Sequence, residues 1–213
     1  MTARLQRAAG DPYRYGVYLR PDPVTSAAVI AVTTYIRAQF GLVSSGAFPP
    51  HITLVGSQHL PVTPDAIVEA VTCALAGRSG FDVHNNGPRP TGSIGMAYDV
   101  HHLADGTTPN QDVLALAAAV HAAVDPLTGP APNPAPHTFD PDTFRAHLSL
   151  VSHDLYARPD LRAEVFEFIQ GLPVPYPERF HADAVALYRT RSDDWTGRWW
   201  TTLTWEHMHT WRL

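Results

Sequence analysis

The sequence carries the segment His51-Ile-Thr-Leu-Val-Gly-Ser57 twice, the second time as His147-Leu-Ser-Leu-Val-Ser-His153. In both copies large aliphatic residues alternate with polar ones, as they do in a strand that is buried on one face. An amphipathic helix opened by a proline follows each copy. Two copies are too few for a solenoid, but they are typical of a duplicated, two-lobed protein. We therefore expect an α+β protein built from two versions of one strand-then-helix unit.

The polar face of the repeat offers a matched set of side chains. Successive side chains of a strand point to opposite faces, so His51 lies beside Thr53, and His147 beside Ser149. Two such strands side by side place two imidazoles and two hydroxyls around one small anion. Imidazole has an ordinary pKa of about 6.5, so one ring can accept a proton while the other donates one. The set is suited to opening a strained cyclic phosphodiester, with the hydroxyls donating to the phosphoryl oxygens.

Apolar periodicity and capping residues predict four helices. Two begin at Asp22-Pro23 and Thr63-Pro64 and end at Gly41 and Gly77; a third ends at Asp125-Pro126, and a fourth is opened by Pro159. The candidate strands are residues 15–20, 81–84, 94–99, 144–151, 180–188 and 199–205. The proline-rich stretch 126–141 has no periodicity and is predicted to be a loop insertion within a single domain, residues 1–213, of two pseudo-symmetric lobes.

Composition excludes several kinds of chemistry. The 15 basic side chains are all arginine, because the 213 residues include no lysine. A lysyl-nucleotide ligase intermediate, a lysine Schiff base and a P-loop lysine are therefore excluded. The net charge of −5 argues against a long nucleic-acid track, which needs many cations. If the substrate is a nucleic acid, we expect the protein to grip one end or one small piece of it.

Membrane association is not expected from the sequence. No apolar run approaches the roughly 20 residues that span a bilayer, and residues 1–10 lack the apolar region of a signal peptide. We therefore expect a soluble, cytoplasmic protein.

Both motifs resemble the signature segments of the 2H phosphoesterases, in particular the bacterial 2′-5′ RNA ligase-like and cyclic phosphodiesterase branch. The matching stretches are Pro49-Pro-His-Ile-Thr-Leu54 and Phe144-Arg-Ala-His-Leu-Ser-Leu150, and Ala186-Leu-Tyr-Arg-Thr190 with Gly197 and Trp199 resembles the last hairpin of the family. The resemblance implies a bilobal duplicated fold in which two antiparallel sheets, flanked by helices, enclose a central cleft. It also implies that the partner is an RNA end, a nucleotide or a small oligonucleotide with a 2′,3′-cyclic phosphate.

The resemblance implies a role for each motif residue. His147 is the base acting on water, His51 is the acid on the leaving oxygen, and Thr53 and Ser149 bind the phosphate.

Further candidate residues lie outside the two histidine and hydroxyl pairs. Family members often carry a basic residue after the second motif, where this chain has Ser152 and His153. Arg145 shares the strand face of His147 and is therefore the candidate phosphate-binding cation. Tyr188 and Trp199 are candidates for stacking on a base.

No metal, cofactor or protein partner is inferred from the sequence. The histidines of His101-His102 and of His207-Met-His209 lack partners at recognised ligand spacings.

Several hypotheses remain open at this stage. The first is a metal-independent phosphodiesterase that opens 2′,3′-cyclic phosphates, with weak reverse 2′-5′ joining as an added activity. A variant hydrolyses cyclic or 2′-5′-linked oligonucleotide signals instead. The others are a non-catalytic RNA-end binding module and an unrelated α+β binding protein with a fortuitous repeat. The presence of all four motif residues favours an enzyme.

Overall fold

The computed structural model describes residues 12–129 and 139–213. In these ranges the strands are β1 (Tyr13–Arg20), β2 (Ile52–Gln58), β3 (Phe81–His84), β4 (Pro88–Thr91), β5 (Gly95–Asp99), β6 (His147–Val151), β7 (Arg179–Ala182), β8 (Ala184–Arg191) and β9 (Thr204–Arg212). The helices are α1 (Pro23–Phe40), α2 (Pro64–Leu75), α3 (Gln111–Val124), α4 (Asp154–Ala157) and α5 (Arg162–Gly171). Short 3₁₀ turns cover Ser44–Gly46, Asp125–Leu127, Pro159–Leu161 and Trp199–Thr201.

The described strands pair antiparallel and form three sheets. Their orders are β2-β1-β8-β9, β4-β5-β6 and β3-β7. The predicted α+β class, with antiparallel sheets flanked by helices, is confirmed. One difference is that the strands outside the four-stranded sheet form two small sheets instead of one. The chain turns between β3 and β4 at Gly87, whose φ is 83°, and β4 then pairs with β5.

Each motif strand lies at the edge of a sheet. β2 is an outer strand of the four-stranded sheet, β6 is an outer strand of the three-stranded sheet, and the two strands approach each other. The aliphatic residues that alternate with the polar motif residues are at most 1% exposed; they are Ile52, Leu54, Leu148 and Leu150. The histidine and hydroxyl residues that alternate with them are only partly buried. The polar faces of both strands are therefore accessible to a ligand.

One continuous core holds the two motif strands in place. Helix α1 follows β1 in the chain but packs on β6, whereas α3 packs on β2. The buried side chains of Val17, Leu54 and Leu148 belong to the same hydrophobic cluster. Because protein interiors are close-packed, this cluster fixes the spacing between β2 and β6.

The helix ends follow the predicted capping residues. The side chain of Asp22 accepts the N–H of Thr25 at 2.7 Å, and Gly41, with a φ of 71°, donates to the carbonyl oxygen of Arg37. Helix α2 is capped by Thr63 and ends at Leu75, two residues before the predicted Gly77. Pro159 opens a 3₁₀ turn, and the α-helix proper begins at Arg162.

Three predicted strands have different bounds. The predicted strand 180–188 is two strands that belong to different sheets, separated at Asp183, whose carboxylate binds the guanidinium of Arg212 at 3.0 Å. Of the predicted strand 199–205, only Thr204 and Trp205 lie in a strand, because β8 ends at Arg191, which pairs with Thr204, so earlier residues have no partner strand. Strand β6 begins at His147 instead of residue 144.

The proline-rich stretch lies partly outside the described residues. Residues 130–138 of the predicted insertion 126–141 are not described. On one side of them, the N–H of Gly129 donates to the carbonyl oxygen of His59 at 2.9 Å. On the other side, the ring of Phe139 packs against Phe144, 5.5 Å between centroids. Both flanks of the stretch are thus attached to the body of the protein.

None of the helices in the described ranges combines the length and apolar character needed to cross a bilayer.

Candidate active site

A cavity of about 310 Å³ lies between β2 and β6. All four motif residues line it: His51 and Thr53 from one side, His147 and Ser149 from the other. We call this space the central cavity. Two strands that are far apart in sequence thus bring two imidazoles and two hydroxyls to one site.

Each of the two imidazoles is held by a hydrogen bond to the carbonyl oxygen two residues earlier. Nδ1 of His51 lies 2.7 Å from the carbonyl oxygen of Pro49, and Nδ1 of His147 lies 2.7 Å from that of Arg145. A carbonyl oxygen can only accept, so Nδ1 carries the hydrogen in both rings. In each ring Nε2 is therefore the nitrogen left for a ligand, as an acceptor when the ring is neutral and as a donor when it is charged.

Aromatic rings pack around His51 and shield much of it from water. Its ring meets those of Tyr18 and Phe48 edge-on, with centroids 4.6 Å and 4.8 Å away. Burial, the largest cause, and the neighbouring His147 together lower the pKa of His51 to about 4, although the hydrogen bond to the carbonyl of Pro49 acts to raise it. His51 is therefore neutral near pH 7 in the unliganded protein.

Hydroxyl groups form a network behind Thr53. The phenol of Tyr18 lies 3.3 Å from Ser57 Oγ, and Thr190 Oγ1 donates to the same atom at 3.2 Å. Burial raises the pKa of Tyr18 to about 12, so this phenol keeps its proton at neutral pH. Ser57 belongs to the repeated segment, and Thr190 belongs to the segment that resembles the last hairpin of the family, whereas Tyr18 lies in neither.

A second group of hydroxyls faces the cavity beside Ser149. Ser152 Oγ lies 3.4 Å from Ser44 Oγ, 3.3 Å from Ser45 Oγ and 3.1 Å from Nδ1 of His153. Asp154, which is buried, accepts the N–H groups of Val43 at 2.7 Å and Ser44 at 2.5 Å, and so fixes this loop against α4. Residues 44 and 45 reach the site only through this long-range contact, which nothing in the sequence indicated.

An aromatic wall closes one side of the central cavity. Trp199 and Trp195 stack at 6.1 Å with an interplanar angle of 23°, and the ring of His153 meets Trp199 edge-on at 4.8 Å. Burial lowers the pKa of His153, and Asp154 opposes this effect. Trp199, a predicted stacking residue, thus lines the cavity, although it lies on a 3₁₀ turn instead of a strand.

The other predicted stacking residue, Tyr188, is placed differently. Its side chain is 5% exposed, is not among those that line the cavity, and packs on Phe48 at 5.1 Å. A buried ring has no free face for a base, so the stacking prediction for Tyr188 is wrong. Its ring instead supports Phe48, which covers His51.

Arg145 also lies outside the central cavity. It lines an adjacent depression of about 240 Å³ that shares only His147 with the central cavity. The described residues that line the central cavity include no arginine, aspartate or glutamate. Positive charge in the cavity therefore has to come from protonated histidine.

The described residues hold no group of three or more histidine, cysteine, aspartate or glutamate side chains placed for a metal ion. Two histidine and hydroxyl pairs on facing edge strands are the arrangement that the resemblance to the 2H phosphoesterases implied. The family model of the 2′-5′ RNA ligase superfamily matches residues 11–194. The chain therefore belongs to that superfamily, and the resemblance identified from its motifs is confirmed.

Solved structures show the same fold at low sequence identity. LigT of E. coli in complex with 3′-AMP has a TM-score of 0.53 at 14% identity, with 95% of this chain and 99% of that chain covered. TT0787 of Thermus thermophilus has a TM-score of 0.56 at 14% identity, with 94% and 97% covered. A structure described as a phosphoesterase has a TM-score of 0.51 at 14% identity, with 95% and 99% covered. No curated protein matches the chain.

Proposed function

We propose that the protein is a metal-independent phosphodiesterase that opens 2′,3′-cyclic phosphates on RNA ends or nucleotides. The observation that carries the proposal is the convergence of two Nδ1-anchored imidazoles and two hydroxyls on one cavity. This set provides a base, an acid and two neutral donors, which is what hydrolysis of a strained phosphodiester needs.

The proposed reaction is a single displacement at phosphorus. One imidazole takes a proton from water through Nε2 as the water oxygen bonds to phosphorus. The bond from phosphorus to one ribose oxygen breaks, and the other imidazole gives that oxygen a proton. The product is a ribonucleoside phosphomonoester with a free neighbouring hydroxyl. Thr53 and Ser149 donate to the non-bridging oxygens, whose negative charge grows in the transition state.

The charge of the central cavity matches the substrate better than the product. A cyclic phosphodiester carries one negative charge, and the cavity with one protonated histidine carries one positive charge. The phosphomonoester product approaches two negative charges at neutral pH, and the cavity lining offers no arginine to balance the second. This mismatch favours release of the product.

Burial of His51 supports an allocation of roles that differs from the one implied by resemblance. A histidine with a pKa of about 4 is protonated in roughly one molecule in a thousand at pH 7. His51 is then poor as the starting acid and suited to be the base. We propose that His51 activates water and that His147 protonates the leaving oxygen.

The dimensions and walls of the cavity support a nucleotide-sized ligand. Trp199 offers an aromatic surface to a base, and the seryl hydroxyls that line the same cavity offer hydrogen bonds to a ribose. LigT of E. coli, which shares the fold, has been crystallised with 3′-AMP, phosphate, ATP and NADP+. A nucleoside 3′-phosphate is one of the two monoesters that opening of a 2′,3′-cyclic phosphate can form.

The test is a substrate panel with product analysis. Adenosine 2′,3′-cyclic phosphate, adenosine 3′,5′-cyclic phosphate and a 2′-5′-linked oligoadenylate are incubated with the protein in EDTA, and the products are separated. We expect the first to be converted to a single phosphomonoester. Hydrolysis of only the 2′-5′-linked compound would instead identify an enzyme acting on oligonucleotide signals, and binding without turnover of any of the three would indicate a binding module.

A further inference from the structure

The surface beside the central cavity carries a second cluster of basic side chains. This depression, of about 240 Å³, is called here the basic depression; the residues of its lining that matter are Arg89, Asp99, His101, His102, Arg145 and His147. His147 also lines the central cavity, so the two spaces are neighbours on either side of one imidazole.

The single carboxylate that lines the basic depression, Asp99, already has hydrogen-bond and ion-pair partners within the protein. Asp99 accepts Nδ1 of His102 at 2.9 Å and the N–H of His101 at 3.0 Å, and it lies 3.5 Å from Nε of Arg89. Its side chain is 9% exposed, whereas that of Arg89 is 48% exposed. The negative charge thus lies beneath the surface and the positive charge lies at the rim.

Arg145 is the cation that this arrangement leaves available. It is exposed, it has no carboxylate partner among the described residues, and its guanidinium donates to the carbonyl oxygen of Phe144 at 2.6 Å. Burial, His102 and then Arg145 lower the pKa of His101, and Asp99 raises it. A guanidinium with free donors is well suited to a phosphate.

The backbone sets the distance between the two sites. Arg145 precedes His147 by two residues, a separation of roughly 6.7 Å in extended chain. An RNA strand that passes along β6 from Ser149 to His147, and then along the residues that precede β6, would leave the central cavity and reach Arg145. The separation between Arg145 and His147 along the chain is thus about the length of one nucleotide unit.

We propose that the basic depression binds the next phosphodiester of an oligoribonucleotide, on the 5′ side of the nucleoside whose cyclic phosphate lies between His51 and His147. This inference rests on the proposed function and narrows its substrate class to the ends of RNA chains. Arg145 makes the contact with that phosphate, and Arg89 adds charge at the rim.

The experiment compares ligands that differ only in that one charge. The first is a diadenylate ending in a 2′,3′-cyclic phosphate, and the second is the same compound with an uncharged methylphosphonate as its internal linkage. We expect kcat/KM to be roughly three- to tenfold higher for the charged compound at low salt, as one exposed ion contact provides. In Arg145→Gln, the ratio of kcat/KM for the charged compound to kcat/KM for the uncharged one should fall towards one. Arg145→Lys should keep part of the difference.

Arg179→Gln is the matched control, because Arg179 is an exposed arginine on β7 that lines neither space. In this variant the ratio should equal that of the unmodified protein. Equal rates for the two compounds in the unmodified protein, or an unchanged ratio in Arg145→Gln, would overturn the inference while leaving the proposed function intact.

A binding measurement separates the two proposals if there is no turnover. The charged and uncharged diadenylates are then made with a terminal 3′-phosphate, and their affinities are measured by titration calorimetry. Tighter binding of the charged compound that depends on Arg145 supports the basic depression even if no cyclic phosphate is opened. Equal affinities overturn it.

Discussion

His51 and His147 present the same ring nitrogen to one cavity, because in each residue Nδ1 is anchored, at 2.7 Å, to the carbonyl oxygen two residues earlier. The anchor fixes the tautomer of the neutral ring and leaves Nε2 for proton transfer. The environments of the two residues are nevertheless unequal, since aromatic rings enclose His51. The two rings thus have matched geometry but different surroundings. A paired acid and base need such a difference, because one ring must start neutral and the other protonated.

Loss of either imidazole should be severe. We expect His51→Ala and His147→Ala each to lower kcat for a 2′,3′-cyclic nucleotide by roughly 10²- to 10⁴-fold, the usual contribution of a positioned acid or base. His181→Ala is the control, because that exposed histidine pairs with Asp82 outside the cavity. Unmodified rates in either motif variant would refute the assignment.

The motif hydroxyls should matter mainly in the transition state. Thr53→Val and Ser149→Ala each remove one donor to the phosphoryl oxygens, with little change in volume. We expect kcat to fall by up to about 10²-fold and KM to change much less. Thr53→Ser retains the hydroxyl and should recover most of the activity. A loss confined to KM would instead assign these hydroxyls to ground-state binding.

The pH profile should reflect the burial of His51. With His51 as the base, kcat/KM should fall on the acid side only near pH 4, well below the ordinary histidine value of about 6.5. The sign follows from desolvation, which disfavours the charged ring. The alkaline limb should report the acid partner, which gives a bell-shaped profile.

Phe48→Ala tests the cause of that shift. Removing the ring that covers His51 admits water, so the pKa of His51 should rise towards 6.5 and the acid limb should move with it. The titration is followed by NMR of the His51 C2 proton, and His181 serves as an internal reference. A pKa that does not move in this variant would show that Phe48 does not cause the desolvation.

A substrate with a better leaving group should separate acid from base. When the leaving oxygen needs no protonation, as in a nitrophenyl phosphodiester, loss of the acid becomes nearly harmless and loss of the base does not. We expect His147→Ala to be the less damaged variant with this ester. The opposite order would restore the roles implied by the family resemblance, and equal damage would contradict a paired acid and base.

Chelation should leave the activity unchanged. Three histidines line the central cavity, His51, His147 and His153, together with hydroxyl groups but no carboxylate or thiolate. The described residues include no three ligating side chains placed around one ion, which makes the cavity a poor site for a divalent ion. We expect full turnover in EDTA. Loss of activity that zinc or manganese restores would indicate a metallohydrolase instead.

The sequence alone was sufficient to predict that the four motif residues share one site. Alternation in Ile52 to Leu54 and in Leu148 to Leu150 predicted which faces would be buried, because the two-residue period of a strand is a local property. Helix ends at Asp22 and Gly41 were likewise predicted, since caps depend on only a few neighbouring residues.

Tertiary structure decided the surroundings of that set. Ser44 and Ser45 enter the cavity because Asp154, 110 residues from Ser44, binds the backbone beside them. The burial of Tyr188 and the displacement of Arg145 to a separate depression depend on which strands pair and which rings stack above them. Such long-range contacts leave no periodic trace in the sequence. The two histidine and hydroxyl pairs could therefore be predicted from the sequence, whereas the unequal surroundings of His51 and His147 could not, because only the folded chain determines which ring is shielded from water.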